Sequence, residues 1–87
     1  MQQIHNHKNK HHNRQQHLLK LKTFVNNTNQ WKAFTELLQF LTEIEHKVME
    51  QATDPMDIYK AQGSMKTINY LKHLRDYVNA EQENKNG

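Results

Sequence analysis

Two residue patterns in this chain are of a kind that binds metal ions. The first is Glu43-Ile44-Glu45-His46, a Glu-x-x-His pattern at helical spacing that di-iron carboxylate bundles also use. Such ligands must point into the core of a bundle, but helical periodicity places Glu43 and His46 on the hydrophilic face, away from Leu41 and Ile44. The other helical histidine, His73, lies far from His46 in the expected hairpin register. We therefore predict that these residues are solvated and bind no metal.

The second pattern lies near the N-terminus. His5 and His7 alternate along the chain, and His11 and His12 are adjacent. Neutral imidazoles at these spacings bind Zn²⁺, Ni²⁺ or Cu²⁺ weakly. The surrounding tract has no carboxylate or thiolate, so it cannot prearrange a closed site. We expect adventitious metal binding at most, no dedicated site and no cofactor.

No residue pattern predicts a catalytic centre. The chain has no cysteine, which excludes a cysteine nucleophile, a disulfide framework and a thiolate metal site. Gly63-Ser64 lies within a predicted helix and does not follow a strand, so it is not a phosphate-binding loop. We find no nucleophile and base in a supporting arrangement. We therefore predict that the chain is not an enzyme and that it has no catalytic residue and no small-molecule substrate.

A short hinge joins two long amphipathic helices, which are predicted over about residues 29–52 and 55–80. In this hinge Asp54 caps the second helix, Pro55 suits its first position, and Asp57 adds a negative charge against the positive end of the helix dipole. Helices joined so closely fold back on each other. The sequence therefore predicts an all-α fold, an antiparallel two-helix hairpin.

Helical periodicity assigns each helix an inner face, and gives the second helix an outer face as well. The predicted core of the hairpin consists of Trp31, Phe34, Leu38, Leu41, Met65 and Ile68. The predicted partner or oligomer face consists of Tyr59, Gly63, Tyr70, Leu74 and Tyr77. A glycine inside a helix costs about 1 kcal/mol relative to alanine, and the close approach of another backbone would explain Gly63. Because one seam cannot cover both faces, we expect oligomerisation or partner docking to complete the hairpin.

Charge is segregated along the chain. Residues 1–35 contain six basic residues and no acidic ones, whereas residues 36–87 contain nine acidic residues and six basic ones. An acid-free segment of this kind can neutralise phosphates and give salt-sensitive, non-specific affinity for nucleic acid. The candidate phosphate contacts are Lys8, Lys10, Arg14, Lys20 and Lys22.

The chain divides into three parts. Residues 1–26 form a basic arm rich in His, Asn and Gln, expected to be flexible because little apolar surface offsets the entropy of ordering it. A short helix is predicted within it over residues 17–25. The helical hairpin occupies residues 27–81, and residues 82–87 form a polar tail.

Residues 29–80 combine an aromatic-led first helix, an acidic capped turn and a Gln-Gly step in the second helix. These features are carried by segments 31–45, 50–55, 58–64 and 71–76. In these features the hairpin resembles small, uncharacterised helical-hairpin proteins of tailed bacteriophages. The resemblance implies a role in the phage particle or its assembly, and it implies no reaction.

These observations predict a non-enzymatic protein–protein interaction module. It would act as an oligomer, or as a small phage structural or assembly protein within a larger protein assembly. The alternative is an accessory nucleic-acid-binding protein that uses the basic arm. No apolar run approaches the roughly 18 residues that span a bilayer, and residues 1–16 lack the apolar region of a signal peptide. We therefore expect the host cytoplasm or the phage particle, with no secretion and no membrane contact.

Overall fold

The computed structural model describes residues 13–81, and the regular secondary structure of that part is entirely helical. The predicted all-α class is confirmed. In chain order, the helical segments of the described part are residues 13–19 (α1), Lys22–Val25 (α2), Thr28–Gln51 (α3), Pro55–Lys72 (α4) and Leu74–Ala80 (α5). The predicted polar tail and the first twelve residues of the predicted arm lie outside the described residues.

Side-chain caps define where the two long helices begin. The Asn27 side chain accepts a hydrogen bond from the Gln30 amide at 2.9 Å, and α3 begins at the next residue. The Asp54 side chain accepts one from the Met56 amide at 3.0 Å, and Pro55 takes the first position of α4. Each bond satisfies a backbone N–H group that has no partner within its helix. Extended backbone at Ala52 ends α3, so only three residues connect α3 to α4.

The second predicted helix is divided in two at His73. This residue has φ −100° and ψ 9°, and its amide donates to the Tyr70 carbonyl at 3.1 Å, a tighter turn than the α-helix has. The Tyr77 amide then donates to the His73 carbonyl at 3.1 Å, so helical bonding resumes at once. The expected single helix over residues 55–80 is therefore α4 and α5 with a local change of geometry between them.

The seam between α3 and α4 forms one part of the core. Leu38 and Thr42 of α3 are buried, as are Ala61 and Ile68 of α4. The Thr42 hydroxyl donates to the Leu38 carbonyl at 2.8 Å, so this buried polar group is satisfied within its own helix. Met65, also expected in the core, is half-buried.

A second cluster lies where α1 and α2 pack against α5. Its buried members are Leu18, Val25, Leu74 and Val78. The partly buried side chains packed around them are Leu21, Phe24, Trp31, Phe34 and Tyr70. The sequence predicts a flexible arm separate from the hairpin, but Leu18 and Val25 of that arm pack against α5. Apolar residues three and four positions apart give the end of the arm a helical stripe, which covers α5.

Aromatic and polar contacts fix this second cluster. The Phe24 ring stands edge-on to Trp31 and to Phe34, with centroid separations of 6.0 and 5.3 Å, a favoured geometry for aromatic pairs. The side-chain amides of Asn26 and Asn79 exchange two hydrogen bonds of 2.9 and 3.0 Å, which join the end of α2 to α5. Trp31 and Phe34, expected in the hairpin seam, therefore belong to this cluster.

The helices form a thin layer. The principal-axis extents are 53, 42 and 15 Å, so the shortest dimension is close to the diameter of one or two helices. Within residues 13–81, a layer this thin leaves both broad sides of the α3–α4 pair open.

Candidate interaction surfaces

The most apolar open surface of the described chain runs along α3. Leu37 is 50% exposed, Phe40 58%, Ile44 40% and Val48 39%. At about 100° per residue, Leu37, Ile44 and Val48 fall within about 40° of one another, and half-buried Leu41 lies beside them. We call these five residues the α3 outer stripe. It is a continuous helical surface that no other described element covers.

Helical periodicity gives the first helix one broad apolar face, and the structure splits this face. Its predicted members are Trp31, Phe34, Leu37, Leu38, Leu41, Ile44, Val48, Met49 and Ala52. Its inner half, around Leu38 and Met49, faces α4, whereas Leu37, Ile44 and Val48 remain open. The predicted face spans about 140° of the helix circumference, more than the roughly 100° stripe that packing on a single element needs. The excess width of this face indicates, from the sequence, that a single packing partner does not cover all of it.

The predicted face on the second helix is also divided. Tyr59 is 66% exposed, and the adjoining Met56 is 56% exposed. Gly63 is exposed, and nothing lies within 4 Å of the position that a Cβ atom would take there. Among the residues that the structure describes, no close backbone contact requires glycine at this position.

The C-terminal half of that face lies partly in the second cluster. Tyr70 is half-buried and stacks on Tyr77 with a centroid distance of 5.0 Å and an interplanar angle of 28°. Tyr77 is 38% exposed, but Leu74 is only 6% exposed. Leu74 therefore differs from the expectation of an open face, because it packs with Leu18 and Val25 of the arm.

The candidate phosphate contacts lie in different surroundings. The Arg14 guanidinium carbon lies 5.9 Å from the centroid of the Tyr70 ring, within cation–π range. Lys20 is exposed and Lys22 is half-buried. Lys8 and Lys10 lie outside the described residues.

The candidate metal ligands do not form a site in the described part of the chain. Glu43 and His46 are both exposed, and Glu43 accepts a hydrogen bond from Gln39 at 3.5 Å. His73 Nδ1 lies 3.8 Å from an Asp76 carboxylate oxygen, with both side chains largely in solvent. Between residues 13 and 81, no three histidine or acidic side chains gather closely enough to hold a metal ion. The four arm histidines at positions 5, 7, 11 and 12 lie outside the described residues.

An open groove of about 530 Å³ runs along one broad side of the α3–α4 layer. Its lining residues are Thr42, Met49, Gln62, Met65, Lys66, Ile68, Asn69 and Lys72. Lys72 Nζ of α4 donates a hydrogen bond to Gln39 Oε1 of α3 at 3.5 Å. Gln62, Lys66 and Asn69 lie a quarter turn or more around α4 from its seam residues, on the side of the groove. This side of α4 faces away from the α3 outer stripe.

No protein-family model matches the chain, and no curated protein or solved structure matches it significantly. The resemblance to phage hairpin proteins therefore stays a hypothesis. Over residues 13–81, none of the helices combines the length and the apolar character needed to cross a membrane.

Proposed function

We propose that this chain is a non-enzymatic protein–protein interaction module that acts as a self-associating subunit. Its working unit is the antiparallel hairpin of α3 and α4, and its contact surface is the α3 outer stripe. The observation that supports this proposal is the exposure of four large apolar side chains, between 39% and 58%, along one side of a single helix. Contiguous apolar surface of this kind marks interaction sites on small proteins.

The stripe sets the scale of the association. Fully burying a Val, Leu, Ile or Phe side chain contributes about 1.5–3 kcal/mol, so burying the exposed half contributes about 1 kcal/mol. Four side chains from each of two copies then contribute about 8 kcal/mol. Lost translational and rotational freedom costs about 4–15 kcal/mol, so the stripe alone supports weak association. A stable oligomer needs further contacts beside the stripe.

Light scattering during size-exclusion chromatography tests the proposal. The monomer mass is 10.5 kDa, and self-association should raise the measured mass to at least about twice that value. Ile44→Lys places a charge in the centre of the stripe and should return the mass to that of the monomer. Tyr59→Lys is the matched control, because Tyr59 is the more exposed residue but lies on the far side of α4.

The outcomes separate the two candidate surfaces. If Tyr59→Lys disrupts the oligomer and Ile44→Lys does not, the Tyr59–Gly63 face is the contact surface and the stripe is not. A wild-type chain that stays monomeric up to millimolar concentration would contradict self-association through either surface.

Nucleic-acid contact is the second candidate function. It is favoured by the acid-free composition of residues 1–35 and by the exposure of Lys20. Deleting the arm is a poor test, because Leu18 and Val25 belong to the core. Replacing Lys8, Lys10 and Lys20 by glutamine keeps the core intact and should abolish a salt-dependent gel shift. An intact protein that gives no shift at low salt would exclude this function.

The place of this module in a phage particle or its assembly is a proposal that rests on the resemblance alone. Mass spectrometry of native complexes is the direct test, because it reports any larger assembly that contains the chain.

A further inference from the structure

Four of the five residues of the α3 outer stripe have a spacing that reads the same in both directions. Leu37, Leu41, Ile44 and Val48 are separated by four, three and four residues, the spacing of a coiled-coil seam, and Phe40 lies at the edge of this seam. If two copies of α3 run antiparallel about a point between residues 42 and 43, Leu37 meets Val48 and Leu41 meets Ile44. A two-fold axis at that point therefore places these four apolar residues opposite apolar residues.

α4 and the first turn of α5, which follows the change of helix geometry at His73, carry a second symmetrical pattern on the same broad side of the layer. Gln62, Lys66 and Asn69 line the groove on the other side. The residues that flank Ala61 and Ile68 on the opposite side, by about 20–80° around the helix, therefore lie toward the stripe. With the two seam residues that they flank, they form the series Asp57, Ala61, Ser64, Ile68, Leu71 and Arg75.

This series is symmetrical about position 66. An antiparallel copy would place Leu71 at the edge of Ala61 and Ser64 at the edge of Ile68, two residues that α3 already buries. The outermost positions are complementary in charge, because Asp57 would meet Arg75 of the other copy, and the two-fold axis makes that pair twice. Both side chains are exposed. Charge at the rim and small or apolar residues at the centre match the anatomy of specific interfaces.

The two symmetry points lie near each other in the folded chain. Thr42 of α3 and Lys66 of α4 line the same groove, and Gln39 contacts Lys72. Positions 42–43 of α3 therefore lie within about one helical turn of position 66 of α4. One two-fold axis passes close to both points without any change in the α3–α4 pairing. A parallel pair of copies would put the two α4 helices on opposite sides and leave Asp57 and Arg75 without partners.

We infer that a second copy of this chain packs antiparallel on this face, so that α3 and α4 of both copies form a four-helix bundle. This inference rests on the proposed function and names its partner. Residues 57–75 extend about 27 Å and two helices are about 20 Å wide, which gives a flat area of roughly 540 Å² per copy. Twice that value meets the roughly 1,000 Å² that a specific interface requires.

Distances between spin labels test the arrangement. The chain has no cysteine, so Lys32→Cys and Glu43→Cys each provide a single labelling site, and both positions are exposed on the side of α3 away from the stripe. In the antiparallel dimer the two copies of position 32 are separated along the helix axis by about 31 Å, and those of position 43 by about 2 Å. The label distance at position 32 should therefore be roughly 15 Å longer than at position 43.

A charge swap is the second measurement. Asp57→Arg and Arg75→Asp should each weaken the dimer by about three- to tenfold at low salt, and the double variant should recover the wild-type affinity. The double variant still carries Asp57→Arg in the first turn of α4. Recovery of its affinity would therefore show that the single variant does not act by destabilising α4. Sedimentation equilibrium gives the dissociation constants.

Each result has a separate meaning. A dimeric mass with the longer distance at position 32 and recovery in the double variant supports the inference. A dimeric mass with equal label distances overturns the antiparallel arrangement and leaves the proposed function standing. A failure of the double variant to recover overturns the Asp57–Arg75 pairing. A wild-type chain that is monomeric throughout overturns the proposed function and the inference together.

Discussion

Leu37 and Leu38 are neighbours in sequence with opposite surroundings. Leu38 is 2% exposed in the α3–α4 seam, whereas Leu37 is 50% exposed in the α3 outer stripe. Leu38→Ala should lower the free energy of unfolding by about 2–5 kcal/mol, because it leaves a cavity in the core. Leu37→Ala should cost less than about 1 kcal/mol in dilute monomer. Urea unfolding at low protein concentration measures both, and equal losses would contradict the packing of α3 on α4.

Gly63 gives a prediction of the opposite sign. It lies inside α4, is exposed and has nothing within 4 Å of its Cβ position. Gly63→Ala should therefore raise the free energy of unfolding by about 0.5–1 kcal/mol, through helix propensity and reduced freedom of the unfolded chain. Thermal unfolding of the variant tests this expectation. A loss of stability or of self-association would mean that a partner backbone approaches α4 at this residue.

At the scale of the elements, the start of α4 depends on one side chain. Asp54 accepts the hydrogen bond from the Met56 amide at 3.0 Å. Asp54→Ala should cost about 0.5–2 kcal/mol of stability, because that amide loses its partner and the first turn loses a negative charge. Chemical denaturation measures the loss, and Thr53→Ala serves as the neighbouring control. If both variants lose the same amount, the cap has no special role.

The sequence predicts some elements better than others. The hinge and the start of α4 could be predicted because Asp54 and Pro55 act locally, through the backbone beside them. The buried positions Leu38 and Ile68 follow from helical periodicity. Periodicity gives directions around a helix but does not say how much of a broad face one partner covers. The split that leaves Ile44 open could therefore not be assigned to particular residues.

The arm shows a second limit of prediction. Its overall composition is polar, which favours disorder. Leu18 and Val25 nevertheless lie in the core, because they are in the same helical stripe and face Leu74 and Val78 of α5. The free energy gained by burying them depends on a surface about fifty residues further along the chain, so local composition could not reveal it. The same packing covers Leu74, a member of the predicted open face.

At the scale of the whole molecule, a thin layer of helices leaves apolar surface open on the side opposite the groove. The layer is 15 Å thick along its shortest axis, and the α3 outer stripe has no cover from the described helices. A second copy on that side would bury the stripe and give α3 a partner on both halves of its apolar face. In the proposed dimer, the fold would be half of a four-helix bundle.

The mass of the intact chain, measured beside its two lysine variants, tests this account most directly. Light scattering at micromolar to millimolar concentration should give about 21 kDa for the wild type, twice the 10.5 kDa of the monomer, because closed two-fold dimers are the commonest oligomers. Tyr59→Lys should keep that mass, and Ile44→Lys should reduce it to the monomer value. A wild-type mass of 10.5 kDa throughout, or an Ile44→Lys variant that remains dimeric, would contradict the account.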